Sequence, residues 1–433
     1  MGMKEDPLAG RGLAFDWLNQ VLVRKRTLDD VIESDHRDAA LTKRDRAFAR
    51  LLTMTVLRRL GQIDDLIGRC LEKPLPTRAR GAEMALRLGV AQAVFLDTPP
   101  HAAVDTSVRL AVARRGRAYK KLVNAVMRRI TRDGAAWRDG QDAARLNTPA
   151  WLWDSWINAH GETTTRAIAE AHMAAAPLDL TVRGNPEDVA KELEASVLPT
   201  GSLRRAGGGR IAELPGFAEG KWWVQDAAAA LPARLLGAGP GDQVIDLCAA
   251  PGGKTAQLAA LGAAVTSIDR SPARLARLRE NLARLNLSAT IVETDVARWQ
   301  PPEPAKFVLL DAPCTATGTL RRHPDIAYLK NRDDIAAAAA AQQRLLTAAA
   351  DLVAPGGTLV YAVCSLQPEE GRAQIDALLE SGAPFERRPI KASEVGGLTA
   401  LIGDRGDLFT LPFHMADLGG MDGFFAARLT CLR

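Results

Sequence analysis

At 433 residues the chain is longer than one ordinary hydrophobic core accommodates, so two or three domains are expected. Apolar residues make up 47% and charged residues 25%, a normal globular composition that calls for no membrane class. The net charge of +5 hides an asymmetry: residues 1–150 carry 28 Lys+Arg against 18 Asp+Glu, hence +10, and the remainder 28 against 33, hence −5.

A basic N-terminal part suits a polyanion, because lysines and arginines gain affinity by displacing counterions from phosphates; charge alone is equally satisfied by a solvated helical surface. Met1 to Arg11 holds no hydrophobic signal core, and the blandest stretch, Ala336 to Ala354, is interrupted by Gln342, Gln343 and Arg344, so a cytoplasmic protein is expected. The five cysteines, Cys70, Cys248, Cys314, Cys364 and Cys431, are odd in number and lack zinc spacing, which predicts free thiols and no metal site.

From Arg11 to about Thr131 apolar residues recur at helical spacing, as in Leu122, Val123, Val126 and Ile130, with almost no strand signal. Thr27 with Asp30 and Thr42 with Asp45 read as helix starts, while Gly61, Pro74, Pro76 and Pro99–Pro100 are expected to break the run. Residues 1–145 thus read as an all-α domain. Residues 146–222 change texture: Thr148 and Pro149 open a Trp-rich helix, Leu178 to Val182 reads as a strand, and Pro186 to Ala195 as a helix. A Gly207–Gly208–Gly209 turn follows, so a small α+β connector is expected.

Across residues 223–433 the pattern becomes apolar strand, polar turn, helix, repeated. Strands are expected at Val244–Leu247, Val265–Asp269, Ile291–Asp295, Phe307–Asp311 and Leu359–Cys364, with an antiparallel edge strand in Gly423–Leu432. Such alternation demands a mostly parallel, Rossmann-like α/β sheet covered on both faces. Ligands of these sheets bind beyond the carboxyl ends of the strands, where strand order reverses.

The first strand leads through Cys248, Ala249, Ala250, Pro251, Gly252, Gly253 and Lys254 into a helix, whose exposed amides, with Lys254, suit a carboxylate. Asp269 closes the second strand at a position suited to ribose hydroxyls, and Asp295 the third, at an adenine edge. The loop is neither G-x-G-x-x-G nor a P-loop, so an amino-acid carboxylate joined to a nucleoside fits better than a nicotinamide or a nucleoside triphosphate. Asp311–Ala312–Pro313–Cys314 ends the fourth strand and Cys364–Ser365 the fifth, both at places where catalytic side chains emerge.

These residues, with Gly318–Thr319–Leu320–Arg321–Arg322–His323–Pro324–Asp325, make the chain similar to the RNA cytosine-C5 methyltransferases of the Sun/Fmu group, in its bacterial RsmB type. Asp45–Arg46–Ala47–Phe48 and Leu122 to Ile130 resemble the NusB-like RNA-binding domain fused to that type. Thr315–Ala316 and Val363 depart from the commoner Ser–Gly and Thr. The resemblance implies S-adenosyl-L-methionine as cofactor and RNA, small-subunit rRNA, as substrate. It also implies Cys364 as nucleophile toward cytosine C6 and Cys314 as an aid to product release.

Asp311 is then expected to contact the cofactor or the cytosine N3/N4 edge, and Arg321, Arg322 and His323 to hold flanking phosphates of a base taken out of its stack. A monomer without an obligatory protein partner is expected. Competing expectations are a tRNA substrate, an RNA-binding factor with a vestigial catalytic domain, and a DNA cytosine methyltransferase using Cys314 as nucleophile.

Overall fold

A computed structural model describes residues 6–36, 41–114, 116–207 and 210–433. It divides into two compact units, Met1–Ala174 with His323–Asn331, and Ala175–Arg322 with Arg332–Arg433.

In the first unit every described element is a helix. The expected caps form: Thr27 accepts from the Asp30 amide ahead of Leu28–Glu33, and Thr42 from the Asp45 amide ahead of Lys43–Arg58, satisfying amides that the first helical turn leaves open. Pro100 occupies the first turn of Pro100–Ala113, where its missing N–H costs nothing. The helix Lys120–Asp139 buries Val123, Val126, Met127, Ile130 and Gly134, the stripe that a 3.6-residue period generates. The four apolar side chains among them join Leu18, Leu52, Ile63, Leu86 and Leu88 in one core.

Gly61 departs from expectation. It does not break the run but lies inside the helix Leu60–Gly68, where a Cβ would sit 1.7 Å from the Leu146 carbonyl oxygen; the glycine admits a neighbouring backbone. The Trp-rich helix runs Ala150–His172, with Gly161 at φ +78° breaking its geometry, and belongs to this first unit.

His323–Asn331 belongs to the helical unit although its flanks in sequence do not. The Tyr328 hydroxyl donates to the Leu57 carbonyl at 3.0 Å, the Leu28 amide to the Asp325 carboxylate at 2.9 Å, and Lys25 Nζ to the Tyr328 carbonyl at 2.9 Å.

The second unit holds two sheets. The smaller is antiparallel in the order β2–β3–β1–β4, with β1 Leu178–Val182, β2 Ser196–Val197, β3 Leu203–Arg205 and β4 Trp222–Val224. The helix Pro186–Leu193 packs Val189, Ala190 and Leu193 with Leu180, Leu203 and Trp222. Gly208 and Gly209 of the expected turn lie outside the described residues.

The larger sheet comprises β5 Gln243–Leu247, β6 Ala264–Asp269, β7 Thr290–Glu293, β8 Ala305–Asp311, β9 Val353–Val363, β10 Phe385–Arg387, β11 Leu408–Thr410 and β12 Phe424–Cys431. Its order is β10–β12–β9–β8–β5–β6–β7, with β11 also on β12. The strands β5 to β9 are mutually parallel, and the order reverses between β5 and β8, which makes their carboxyl ends the expected ligand crevice.

β12 corrects an expectation. It is antiparallel, but β9 pairs one side and β10 and β11 the other, so it is not an edge. Seven of its eight residues are buried, as a strand covered on both sides requires.

Candidate active site

At the carboxyl ends of the parallel strands lies a cavity of about 310 Å³, lined among others by Cys248, Asp269, Asp295, Asp311, Cys314 and Cys364. Each reaches it by its own route. Cys248 follows β5 in a left-handed conformation, φ +58°, and burial pushes its thiol up to about 12, which suits a packing role rather than a reactive one.

The turn that follows runs into the helix Gly253–Ala260. Gly252 has φ +101°, and a Cβ there would press on the Leu278 side chain at 2.9 Å; its requirement comes from the backbone and from packing against the next helix. Ala249, Ala250, Pro251, Gly252, Gly253 and Lys254 do not line the cavity. Lys254 Nζ instead donates to Asp311 Oδ2 at 2.6 Å and stands over the Phe424 ring.

Asp269, at the end of β6, accepts the Ala250 amide at 3.2 Å on one oxygen and the Ser271 amide at 2.9 Å on the other, so it fastens the β5 turn to the β6 turn. Asp295 lies two residues beyond β7, which ends at Glu293 rather than at Asp295 as expected; its side chain accepts the Ala297 amide at 3.0 Å. A carboxylate oxygen has two lone pairs, so both acids keep acceptor capacity toward the cavity.

The two thiols come from adjacent strands, Cys314 from the loop after β8 and Cys364 from the end of β9, and their Sγ atoms lie 3.4 Å apart. The hydrogen bond to Cys364, together with burial, pushes the Cys314 thiol well above its usual range. The loops are also joined directly, the Gly318 amide donating to the Cys364 carbonyl at 3.0 Å.

The family model described as 16S rRNA methyltransferase RsmB/F matches residues 233–430, and that of the NusB family residues 9–132. Ribosomal RNA small subunit methyltransferase B of Vibrio cholerae is 36% identical over 388 residues, 86% of this chain and 89% of the relative. The chain belongs to the RsmB/F methyltransferase family.

The Salmonella arizonae protein of the same description is 35% identical over 86% of this chain and 90% of its own. Among solved structures, PH0851 covers 99% of this chain and 100% of its own at TM-score 0.78 and 23% identity. NSun6 from Pyrococcus horikoshii with SFG covers 66% of this chain and 98% of its own at TM-score 0.57 and 20% identity. These two likenesses show the fold.

Within this RsmB/F member, one expectation fails. Arg321 and Arg322 are not available to phosphates. Arg321 is 2% exposed, with Nη1 donating to the Gly419 carbonyl at 2.6 Å and its guanidinium facing Asp226 and Asp422. Arg322 donates to Asp226 at 2.6 Å, Asp422 at 3.2 Å and the Pro177 carbonyl at 2.9 Å. Asp179, Asp226 and Asp422 are buried, and carboxylates taken out of water are stabilised by a cation in its place, which these arginines supply. His323 faces Asp29 at 3.3 Å.

Sequence reasoning also missed several groups. Arg270, Arg274, Thr294 and Arg344 line the cavity; Arg274 sits in the first turn of a helix capped by Ser271, and that Ser–Pro start is the signal that would have placed it. Asp246 and Glu370, both fully buried, stand behind the lining. Burial raises Asp246 to about 7 against the Thr255 hydroxyl that donates to it at 2.6 Å.

No group of three or more His, Cys, Asp or Glu suited to a metal occurs among the described residues. No described helix is long and apolar enough to cross a membrane.

Proposed function

We propose that this protein methylates C5 of a cytosine in small-subunit ribosomal RNA, with S-adenosyl-L-methionine as methyl donor and Cys364 as covalent nucleophile. The observation that carries this reading is the pair of thiols 3.4 Å apart in a cavity that Asp269, Asp295 and Asp311 also line.

The cavity suits the cofactor in size and polarity. Asp269 and Asp295 have acceptor capacity left for hydroxyl and amino donors of a nucleoside, while Asp311, paired with Lys254, stands between that end and the thiols. The cofactor supplies an electrophilic methyl group when bound. Its carboxylate would fall to the turn after β5, whose amides open the helix Gly253–Ala260.

C5 of cytosine is a poor nucleophile. Addition of the Cys364 thiolate to C6 forms a C–S bond and moves the ring electron pair toward C5, which makes C5 reactive. Asp311, at the cavity wall, is placed in the sequence to hold the N3/N4 edge while charge develops on the ring. Once C5 carries its methyl, its proton leaves, the electron pair reforms the C5–C6 bond, and Cys364 departs as thiolate. Cys314, held as a thiol beside it, is placed to give its proton to the departing Cys364 sulfur, and the proton lost from C5 passes by way of water to restore the Cys314 thiol.

Because C5 and C6 of a stacked base are shielded, the target cytosine is read single-stranded or extruded. The NusB-family domain at residues 9–132 supplies RNA affinity to the same chain.

The test is transfer of labelled methyl to unmodified small-subunit rRNA. Cys364→Ala is expected to abolish it, and Cys314→Ala to leave a denaturant-resistant protein–RNA adduct. Turnover by Cys364→Ala would sink the nucleophile assignment, and a Cys314→Ala protein that releases product normally would sink the release role.

A further inference from the structure

Two loops bring the thiols together, Cys314 lying three residues past β8 and Cys364 one past β9. Beyond the pairing of those strands, their spacing depends on what joins the loops. Behind them lies Glu370, fully buried.

One of its oxygens accepts from the Thr315 hydroxyl and from the Ser365 hydroxyl at 2.7 Å. The other accepts the Thr315 amide at 2.8 Å and Gln342 Nε2 at 3.0 Å. Four donors fill all four lone-pair positions of the carboxylate. Thr315 is the residue after Cys314 and Ser365 the residue after Cys364. Their hydroxyls also meet at 3.2 Å, and Thr317 joins Ser365 at 3.1 Å.

Glu370 is itself fixed to β9, because the buried Tyr361 hydroxyl donates to its carbonyl at 2.6 Å. Gln342 anchors the far side by also donating to the Pro313 carbonyl at 2.9 Å. Apart from the Ser365–Glu370 bond, which closes the Cys364 loop on itself, these bonds run between the two thiol loops or from them to a rigid element.

We propose that Glu370 is a positioning residue that splices the Cys314 loop to the Cys364 loop and thereby fixes the separation of the two sulfur atoms. The inference rests on the two-cysteine reading above for its importance, but the spacing it explains is a property of the folded protein without RNA. Glutamine is the informative replacement. It keeps the shape but turns one acceptor oxygen into an NH₂, which must then face either the Thr315 and Ser365 hydroxyls or the Thr315 amide and Gln342 Nε2, so a bond to Thr315 of the Cys314 loop is disturbed in either orientation.

Phenylarsine oxide reports the spacing directly. Two thiols replace its oxygen, forming two As–S bonds, and both thiol protons leave with that oxygen as water. In the wild-type protein it is expected to bridge Cys314 and Cys364 one to one, read by intact mass and by loss of both thiols to alkylation. In Glu370→Gln, with a thermal transition retained, the apparent affinity for the reagent should weaken by about tenfold or more, since the second As–S bond depends on the sulfurs being held at the right distance.

Thr315→Val removes one donor at nearly constant volume and should give an intermediate loss; it decides the matter should Glu370→Gln fail to fold. Wild-type affinity in the folded Glu370→Gln protein, or in Thr315→Val when that protein decides, overturns the proposal. So does a wild-type protein that the reagent does not bridge. Methyl transfer by Cys364→Ala, in contrast, would overturn the two-cysteine chemistry and leave the splice standing.

Discussion

Asp246 shows how one residue carries a cost that the site around it requires. It closes the hydrogen bond from Thr255 that fastens the first turn of the helix Gly253–Ala260 to β5, yet it is fully buried, and its other oxygen has no hydrogen-bond partner among the described residues. Burial lifts its carboxyl to about 7, the nearby Asp311 reinforcing the shift and Thr255 and Lys254 opposing it. A folded-state value above the unfolded one means the folded form binds the proton more tightly. The contribution to stability is thus fully present below about pH 4 and is lost as the pH rises through about 7. Replacing Asp246 by Asn removes that titration. Urea unfolding of the wild type relative to Asp246→Asn should therefore lose on the order of a few kcal/mol between pH 5 and pH 8. Parallel profiles for the two proteins would show that the carboxyl titrates normally.

At the scale of elements, the parallel strands, the β5 turn and both thiols were legible in the sequence, because each depends on local pattern: apolar runs, a glycine turn, a cysteine at a strand end. What was not legible depends on partners remote in sequence. β12 looked like an edge because nothing in Phe424–Cys431 announces that β10 and β11 will pair beyond it. Arg321 and Arg322 looked like phosphate ligands because Asp179, 143 residues from Arg322, gives no sign of being buried beside them. Glu370 gave no signal, because its partners Thr315 and Gln342 lie 55 and 28 residues away. Gly61 looked like a helix breaker when its role is close approach to Leu146.

The same kind of approach occurs in the site at Gly318. A Cβ there would lie 2.0 Å from the Gly423 carbonyl oxygen, and the Gly423 amide donates to the Gly318 carbonyl at 2.8 Å. The turn after Cys314 is thus clamped between the end of β9 and the start of β12. Gly318→Ala must push that turn away, at an overpacking cost of about 1–3 kcal/mol. Because the displaced turn carries Cys314, methyl transfer per folded molecule should fall by about a hundredfold. A variant that melts earlier but retains full specific activity would mean the clamp serves stability alone.

Over the whole molecule, charge and chemistry are divided along the chain. The cavity, its thiols and its three aspartates all belong to the second compact unit, while residues 1–150 carry the excess of Lys+Arg, 28 against 18 acids. Part of this excess is consumed by pairing, as in Arg87 with Asp64 and Arg114 with Asp16. Lys120, Lys121 and Arg128, however, are exposed on the helix Lys120–Asp139, whose opposite face is the core stripe of Val123, Val126 and Ile130. Cations on such a face bind RNA by releasing counterions, so the logarithm of affinity falls linearly with the logarithm of salt concentration, by about 0.7 to 0.9 per phosphate neutralised. Replacing all three by Ala in the full-length protein should reduce that slope by about 2 and weaken binding to an unmodified small-subunit rRNA fragment most at low salt. Fluorescence anisotropy across a salt series measures both quantities. An unchanged slope would place the RNA contacts on another face, and the charge of this helix would then serve solvation only.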